Sequence, residues 1–158
     1  MKRLQIGIVA EGGRTGQTDF KAYGNNRIGI SGCMVLLVDS GCAIVSVGFK
    51  RRVLRRGMLA VLFYDDTFWI ERSSSTFRCR YVAFADDNVQ EAIYKLTSPY
   101  FWDSLSENPL FLLNDKQHQL LNACMSKWCG YATIQQTNTP TNCSATTYTT
   151  SLWRWMMR

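Results

Sequence analysis

Cys33-Met34-Val35-Leu36-Leu37-Val38, then Asp39-Ser40-Gly41, then Cys42-Ala43-Ile44-Val45-Ser46-Val47, is the stretch on which the fold turns. A short polar gap holding glycine between two β-branched apolar runs reads as a β-hairpin, with Gly41 supplying the positive φ of the turn. Downstream the pattern repeats. Gly48 breaks the chain again and Phe49 to Leu54 follows. Arg55-Arg56-Gly57 turns into Met58-Leu59-Ala60-Val61-Leu62-Phe63, and Tyr64-Asp65-Asp66-Thr67 is another turn. Phe68 to Arg72 is a short strand, Ser73-Ser74-Ser75 a loop and Thr76 to Ala85 a longer strand. About six short strands separated by turn signals are the signature of an antiparallel sandwich or barrel. Upstream, Glu11-Gly12-Gly13-Arg14-Thr15-Gly16 lacks phosphate-loop spacing and reads as a flexible connection.

At Asp86 the period changes from two to 3.6. Val89, Ala92, Ile93 and Leu96 fall on one helical face, with Asp86 and Asp87 suited to the helix start and Ser98-Pro99 to its end. Tyr100-Phe101-Trp102-Asp103-Ser104-Leu105 reads as a short helical turn stopped by Asn108-Pro109, and Leu110 to Leu113 as a brief strand. Asn114 with Gln117 forms a capping box for a helix running to about Trp128. Its apolar stripe is Leu120, Leu121, Cys124, Met125 and Trp128. Strands first and helices second imply a mainly β, segregated α+β layout: a barrel or jelly roll followed by two or three helices.

At 158 residues the chain holds one sizeable core, and 46% hydrophobic residues exclude wholesale disorder. Apolar runs such as Cys33 to Val38 are far too short for a membrane span, and Met1-Lys2-Arg3 is not followed by a signal-peptide core, so a cytoplasmic location is expected. Six cysteines without a CxxC spacing read as buried thiols. The net charge of +6 is concentrated in Lys50-Arg51-Arg52-Val53-Leu54-Arg55-Arg56, read as a strand entering a turn rather than as a phosphate-binding patch. His118 is the only histidine, too few for a cupin metal centre, and it sits six residues from Cys124, on another helical face. No catalytic residue, metal or cofactor is assigned, and no enzyme activity is expected.

The order of these elements carries a resemblance. The turns at Asp39-Ser40-Gly41 and Arg55-Arg56-Gly57-Met58-Leu59 are followed by Phe77-Arg78-Cys79-Arg80-Tyr81-Val82-Ala83-Phe84 leading into a helix. Tyr100-Phe101-Trp102 then precedes Asn108-Pro109-Leu110-Phe111-Leu112-Leu113 and a second helix. From Ile28 to Trp128 the chain resembles the N-terminal cupin-like sensing domain of AraC-type transcriptional regulators. The resemblance implies a barrel that binds a small-molecule effector, helices that pair two subunits into a homodimer, and DNA contact through a helix-turn-helix domain that this chain lacks. On that view Trp69, Tyr81 and Phe84 line the effector cavity, and the stripe Leu120, Leu121, Cys124, Met125 and Trp128 serves dimerisation. Two alternatives stand beside it: a small cupin-like enzyme, and a basic nucleic-acid-binding protein using Lys50 to Arg56.

The organisation expected is an N-terminal segment 1–27, the sensing and dimerisation domain 28–128, and an atypical tail 129–158. The tail has no Asp or Glu, and threonine recurs at 133, 137, 139, 141, 146, 147, 149 and 150. Trp153, Trp155, Met156 and Met157 fit a disordered tail poorly. Read one frame over, Trp155-Met156-Met157 forces an adjacent Asp pair, within a frame that can encode an amphipathic helix. The expectation is a frameshifted remnant from about Cys129, with the DNA-binding domain lost to an early stop.

Overall fold

The structure is a computed structural model that describes residues 2–3, 14–30, 32–63, 66–84 and 100–135. Its strands are β1 (Lys2–Arg3), β2 (Arg14–Thr18), β3 (Ile28–Gly29), β4 (Cys33–Ser40), β5 (Cys42–Val47), β6 (Lys50–Arg55), β7 (Met58–Phe63), β8 (Thr67–Ser73), β9 (Arg78–Phe84) and β10 (Leu110–Leu112). A 3-10 turn spans Lys21–Tyr23, and two helices follow the strands: α1 (Tyr100–Glu107) and α2 (Asp115–Gln135). The helix expected over Val89 to Leu96 lies outside the described residues.

The strands form two five-stranded sheets. The first has the order β1-β3-β8-β5-β6 and the second the order β10-β7-β4-β9-β2. All pairings are antiparallel except β1 with β3. Side chains alternate along each strand, so each sheet has two faces of different composition. Met34, Leu36 and Val38 of β4 meet Ala43, Val45 and Val47 of β5, Phe68 and Ile70 of β8, and Cys79 and Ala83 of β9 in the core between the sheets. The opposite face of the second sheet presents Cys33, Val35, Leu37, Leu59, Val61, Val82 and Phe84 to Leu105 of α1 and to Leu121 and Met125 of α2. The second sheet is therefore covered twice, once by strands and once by helices.

β4 and β5 do not form the hairpin that the glycine-bearing gap suggests. β4 pairs with β7 and β9, whereas β5 pairs with β6 and β8. Gly41 does have positive φ, at 69°, but it turns the chain from one sheet into the other. A Cβ there would lie 2.6 Å from the Phe77 amide nitrogen, so the corner has no room for another residue. Gly57, with φ 81°, makes the second such corner between β6 and β7. The two corners are bonded together: the Arg56 amide donates to the Gly41 carbonyl at 3.2 Å, and the Gly57 amide to the Val38 carbonyl at 3.1 Å. The tight hairpin joins β5 to β6 instead, through Gly48 and Phe49, both with positive φ.

Residues 14–16, read as part of a flexible connection, belong to β2, which pairs along its length with β9. The register places Gly16 opposite Tyr81. A Cβ on Gly16 would lie 2.8 Å from the Tyr81 hydroxyl, so the tyrosine ring lies over the glycine and covers the backbone there. At the start of α2 the capping box forms as expected. The Gln117 amide donates to Asn114 Oδ1 at 2.9 Å, and the Asn114 amide donates to Gln117 Oε1 at 3.0 Å. The helix continues past Trp128 to Gln135, seven residues beyond its expected end.

Candidate functional site

The connection between β2 and β3 builds the site. Thr18 Oγ1 accepts the Phe20 amide at 2.9 Å, and Asp19 Oδ1 accepts the Lys21 amide at 3.1 Å. These two short-range bonds bend the backbone locally. Phe20 is left at φ 57°, a left-handed conformation that costs a non-glycine residue on the order of 1–2 kcal/mol. Phe20 is nonetheless only 2% exposed. Its ring meets Phe68 edge-on at 5.6 Å and Tyr23 at 6.2 Å, inside the core between the sheets.

β3 pairs with β8 only through Ile28–Phe68 and Gly29–Thr67. Beyond that point the connection peels away, while β8 goes on to Ser73 with β5 as its ladder partner among the described residues. A cleft of about 180 Å³ opens in the gap, with Asp19, Phe20 and Lys21 on one side and Ile70, Glu71 and Arg72 on the other. Its two carboxylates are engaged. Asp19 lies 3.6 Å from Lys21 Nζ and 3.4 Å from Arg78 Nη1, and Glu71 accepts from Arg51. The Lys21 amide, with Lys21 and Arg78 nearby, holds the Asp19 carboxyl below its ordinary value of 3.8. Arg72 is exposed and makes no ion pair among the described residues.

The three aromatics expected to line one cavity lie on three different surfaces. Tyr81 packs against the inter-sheet core and over Gly16. Phe84 points the other way, into the core between the second sheet and the helices. Trp69 alternates with Phe68 and Ile70 and so stands on the outer face of the first sheet. There the Arg27 guanidinium lies 5.3 Å from the Trp69 ring and 5.4 Å from Phe49, which is 70% exposed. Sequence reasoning missed Phe20, Ile70 and Arg72. Ile70 and Arg72 sat in a strand read only as short, and Phe20 in a segment with no readable period.

The α2 stripe also divides. Leu121 and Met125 are each 1% exposed and pack on the chain's own second sheet. Leu120 is 45% exposed and Cys124 half-buried, and Trp128 lies farther along the same helix. Below them Arg80 fastens α2 to the sheet. Its Nε donates to both Asp39 oxygens at 3.0 and 2.9 Å, and its Nη2 donates to Asn122 Oδ1.

The basic strand is partly committed to the fold. Arg51 donates to Glu71 at 2.7 Å, and Arg52 donates to the Glu107 carbonyl at 2.8 Å. Lys50, Arg55 and Arg56 remain without ion pairs among the described residues. Cys33 and Cys79 are buried thiols, while Cys42 is exposed. Burial, with Asp39 and Asp19 adding to it, pushes the Cys79 thiol up to about 12. Among the described residues no group of three His, Cys, Asp or Glu side chains is gathered as a metal site needs, and no helix is long and apolar enough to cross a membrane.

No family model and no curated protein matches the chain in sequence. Solved structures do match it in fold. Apo ToxT K231A from Vibrio cholerae strain SCE256 aligns with a TM-score of 0.58 at 9% identity, covering 91% of this chain and 55% of that one. A further ToxT structure from Vibrio cholerae gives 0.48 at 8% identity, over 93% and 55% of the two chains. Unsaturated fatty acid bound wild-type ToxT gives 0.45 at 10% identity, over 73% and 43%. The chain thus spans about half the length of the ToxT structures it matches. Two mostly antiparallel sheets closed over one core, with helices against the second sheet, are the β-rich fold this chain shares with ToxT, an AraC-family regulator.

Proposed function

We propose that this chain is the ligand-sensing and dimerisation part of an AraC-type transcription regulator, with no enzymatic activity of its own. The observation that carries this reading is the alignment of 91% of the chain on ToxT at a TM-score of 0.58. It agrees with the resemblance read from residues 28–128. Small-molecule binding is assigned to the barrel, and ToxT itself has been solved with an unsaturated fatty acid bound. DNA contact is assigned to helix-turn-helix units, and none lies among the described residues.

Self-association is assigned to the outward side of α2. Leu121 and Met125 are spent on the chain's own sheet, which leaves the exposed Leu120 and the half-buried Cys124 for a second copy. A symmetric dimer uses such a patch twice. Sedimentation equilibrium across a concentration range tests this. The expected result is a monomer–dimer equilibrium that Leu120→Glu shifts to monomer without altering the unfolding midpoint. A chain that stays monomeric at every concentration removes the dimerisation role. A panel of small molecules scored by thermal shift tests the sensing role.

A further inference from the structure

We infer that the outer edge of β6 is a docking site for an acidic, extended segment of a partner protein, which adds to the first sheet as a further antiparallel strand. β6 ends the first sheet, with β5 on one side and no described strand on the other. The register fixes which of its backbone groups face that edge. Only Gly48 and Phe49 join β5 to β6, so Val47 and Lys50 exchange bonds across the hairpin, and bonded pairs recur at Val45–Arg52 and Ala43–Leu54. The Arg56 amide donates to the Gly41 carbonyl at 3.2 Å, at the next bonded position in the same phase. Arg51, Val53 and Arg55 fall between those pairs, so their N–H and C=O groups point away from β5. Among the described residues no second strand takes these groups up.

The side chains along the edge define what the partner carries. Lys50, Arg51, Arg55 and Arg56 are exposed, and of these only Arg51 has an ion-pair partner among the described residues, Glu71. Val53, between Arg51 and Arg55 on the same side of the strand, is 56% exposed. Opposite charges facing one another across a strand pair attract, and like charges repel. A strand with carboxylates opposite Arg51 and Arg55 and an apolar residue opposite Val53 meets all three positions. A second copy of β6 brings the same cations and is repelled. A phosphate backbone answers the cations and the N–H groups, but the outward carbonyls of Arg51, Val53 and Arg55 need donors, which peptide amides supply.

The edge is also set before a partner arrives. Leu54 is buried in the core between the sheets, and Arg52 is tied to the Glu107 carbonyl at 2.8 Å. These two residues hold β6 extended, so little ordering is left for binding to bring about. In such strand addition the main-chain bonds supply affinity and the alternate side chains supply specificity.

The test uses the full chain and a fluorescein-labelled peptide, Ser-Glu-Thr-Val-Thr-Glu-Ser, read by fluorescence anisotropy. Saturable binding is expected, and none for the same peptide with lysine in place of glutamate. Arg55→Glu is expected to weaken the peptide about tenfold with the unfolding midpoint unchanged, because an attractive cross-strand pair becomes a repulsive one. N-methylation of the peptide's valine amide, which faces β6, is expected to abolish binding, whereas N-methylation of the next threonine amide, which faces away, is expected to leave it. Hydrogen exchange on the unaltered chain gives a readout independent of any variant. The bound peptide is expected to protect the amides of Arg51, Val53 and Arg55, and to change little at Arg52 and Leu54, which already donate to β5. No saturable binding of the glutamate peptide, or no gain of protection at those three amides in the saturated chain, overturns the proposal. Equal binding of both N-methylated peptides shows charge attraction without strand pairing and also overturns it. Protection of the same amides that rises with chain concentration in the absence of peptide places a second copy there instead. A short oligothymidylate that binds more tightly than the peptide, and is lost in Arg55→Glu, assigns the edge to nucleic acid. Either of these last results overturns the proposal.

Discussion

β4 and β6 are both regular strands of similar length, yet they are opposite kinds of object. Six successive residues of β4, Cys33 to Val38, are fully buried. In β6 only Leu54 is buried, and Val53 is 56% exposed. The difference follows from position. β4 lies between β7 and β9 in a sheet covered by the other sheet on one face and by helices on the other. β6 is the edge of the first sheet, and Lys50, Arg51, Val53 and Arg55 on it are exposed. A strand's composition thus reports how many of its faces are covered. The cations of β6 serve a second purpose, since charged edge strands resist pairing with other chains.

The largest test of this contrast is at the inter-sheet core. Phe68→Ala removes a fully buried ring that touches Phe20 and is expected to cost about 3–5 kcal/mol in urea unfolding. A loss near zero would mean the sheets do not close over a packed core. Next is the helix-covered face, where two adjacent leucines should behave oppositely. Leu121→Ala is expected to cost about 2–4 kcal/mol, whereas Leu120→Ala, 45% exposed, should leave unfolding nearly unchanged. Equal losses would show that α2 is not docked as described. Asp39→Asn weakens the bond network that ties Arg80 and α2 to the sheet, with an expected loss of about 1–3 kcal/mol. The smallest effect is at the open end. The Asp19 carboxyl titrates below its ordinary value of 3.8, so its contribution is present above that value and is lost as pH falls through the lowered one. The protection of the Lys21 amide, measured against its intrinsic exchange rate at each pH, should fall in acid, with Asp19→Asn giving protection that does not change over the same range.

Much of the layout was legible because it is written in local pattern. The strand runs, the capping box of Asn114 and Gln117, and the positive φ of Gly41 all depend on neighbours a few residues apart. The partner of each strand was not legible. Gly41 marks a turn whether the chain folds back on the same sheet or crosses to the other, and only the 2.6 Å approach of Phe77 shows which. β2 carries no apolar period, because Tyr81 on a distant strand covers its glycine. Trp69, Tyr81 and Phe84 were grouped as large aromatics, but strand parity and the two sheets send them to three surfaces.

The sequence by itself determined the strands between Cys33 and Phe84 and the helices that begin near Tyr100 and Asp115, and that β4 must be covered on both faces, since a six-residue apolar run has no face to give to water. Only the tertiary structure decided which leucine of α2 meets the sheet and which meets solvent, where the chain crosses between sheets, and that Phe20 fills the core beside the cleft. The physical reason is range. Period and propensity act between neighbours along the chain, whereas burial depends on which distant surfaces close over a residue.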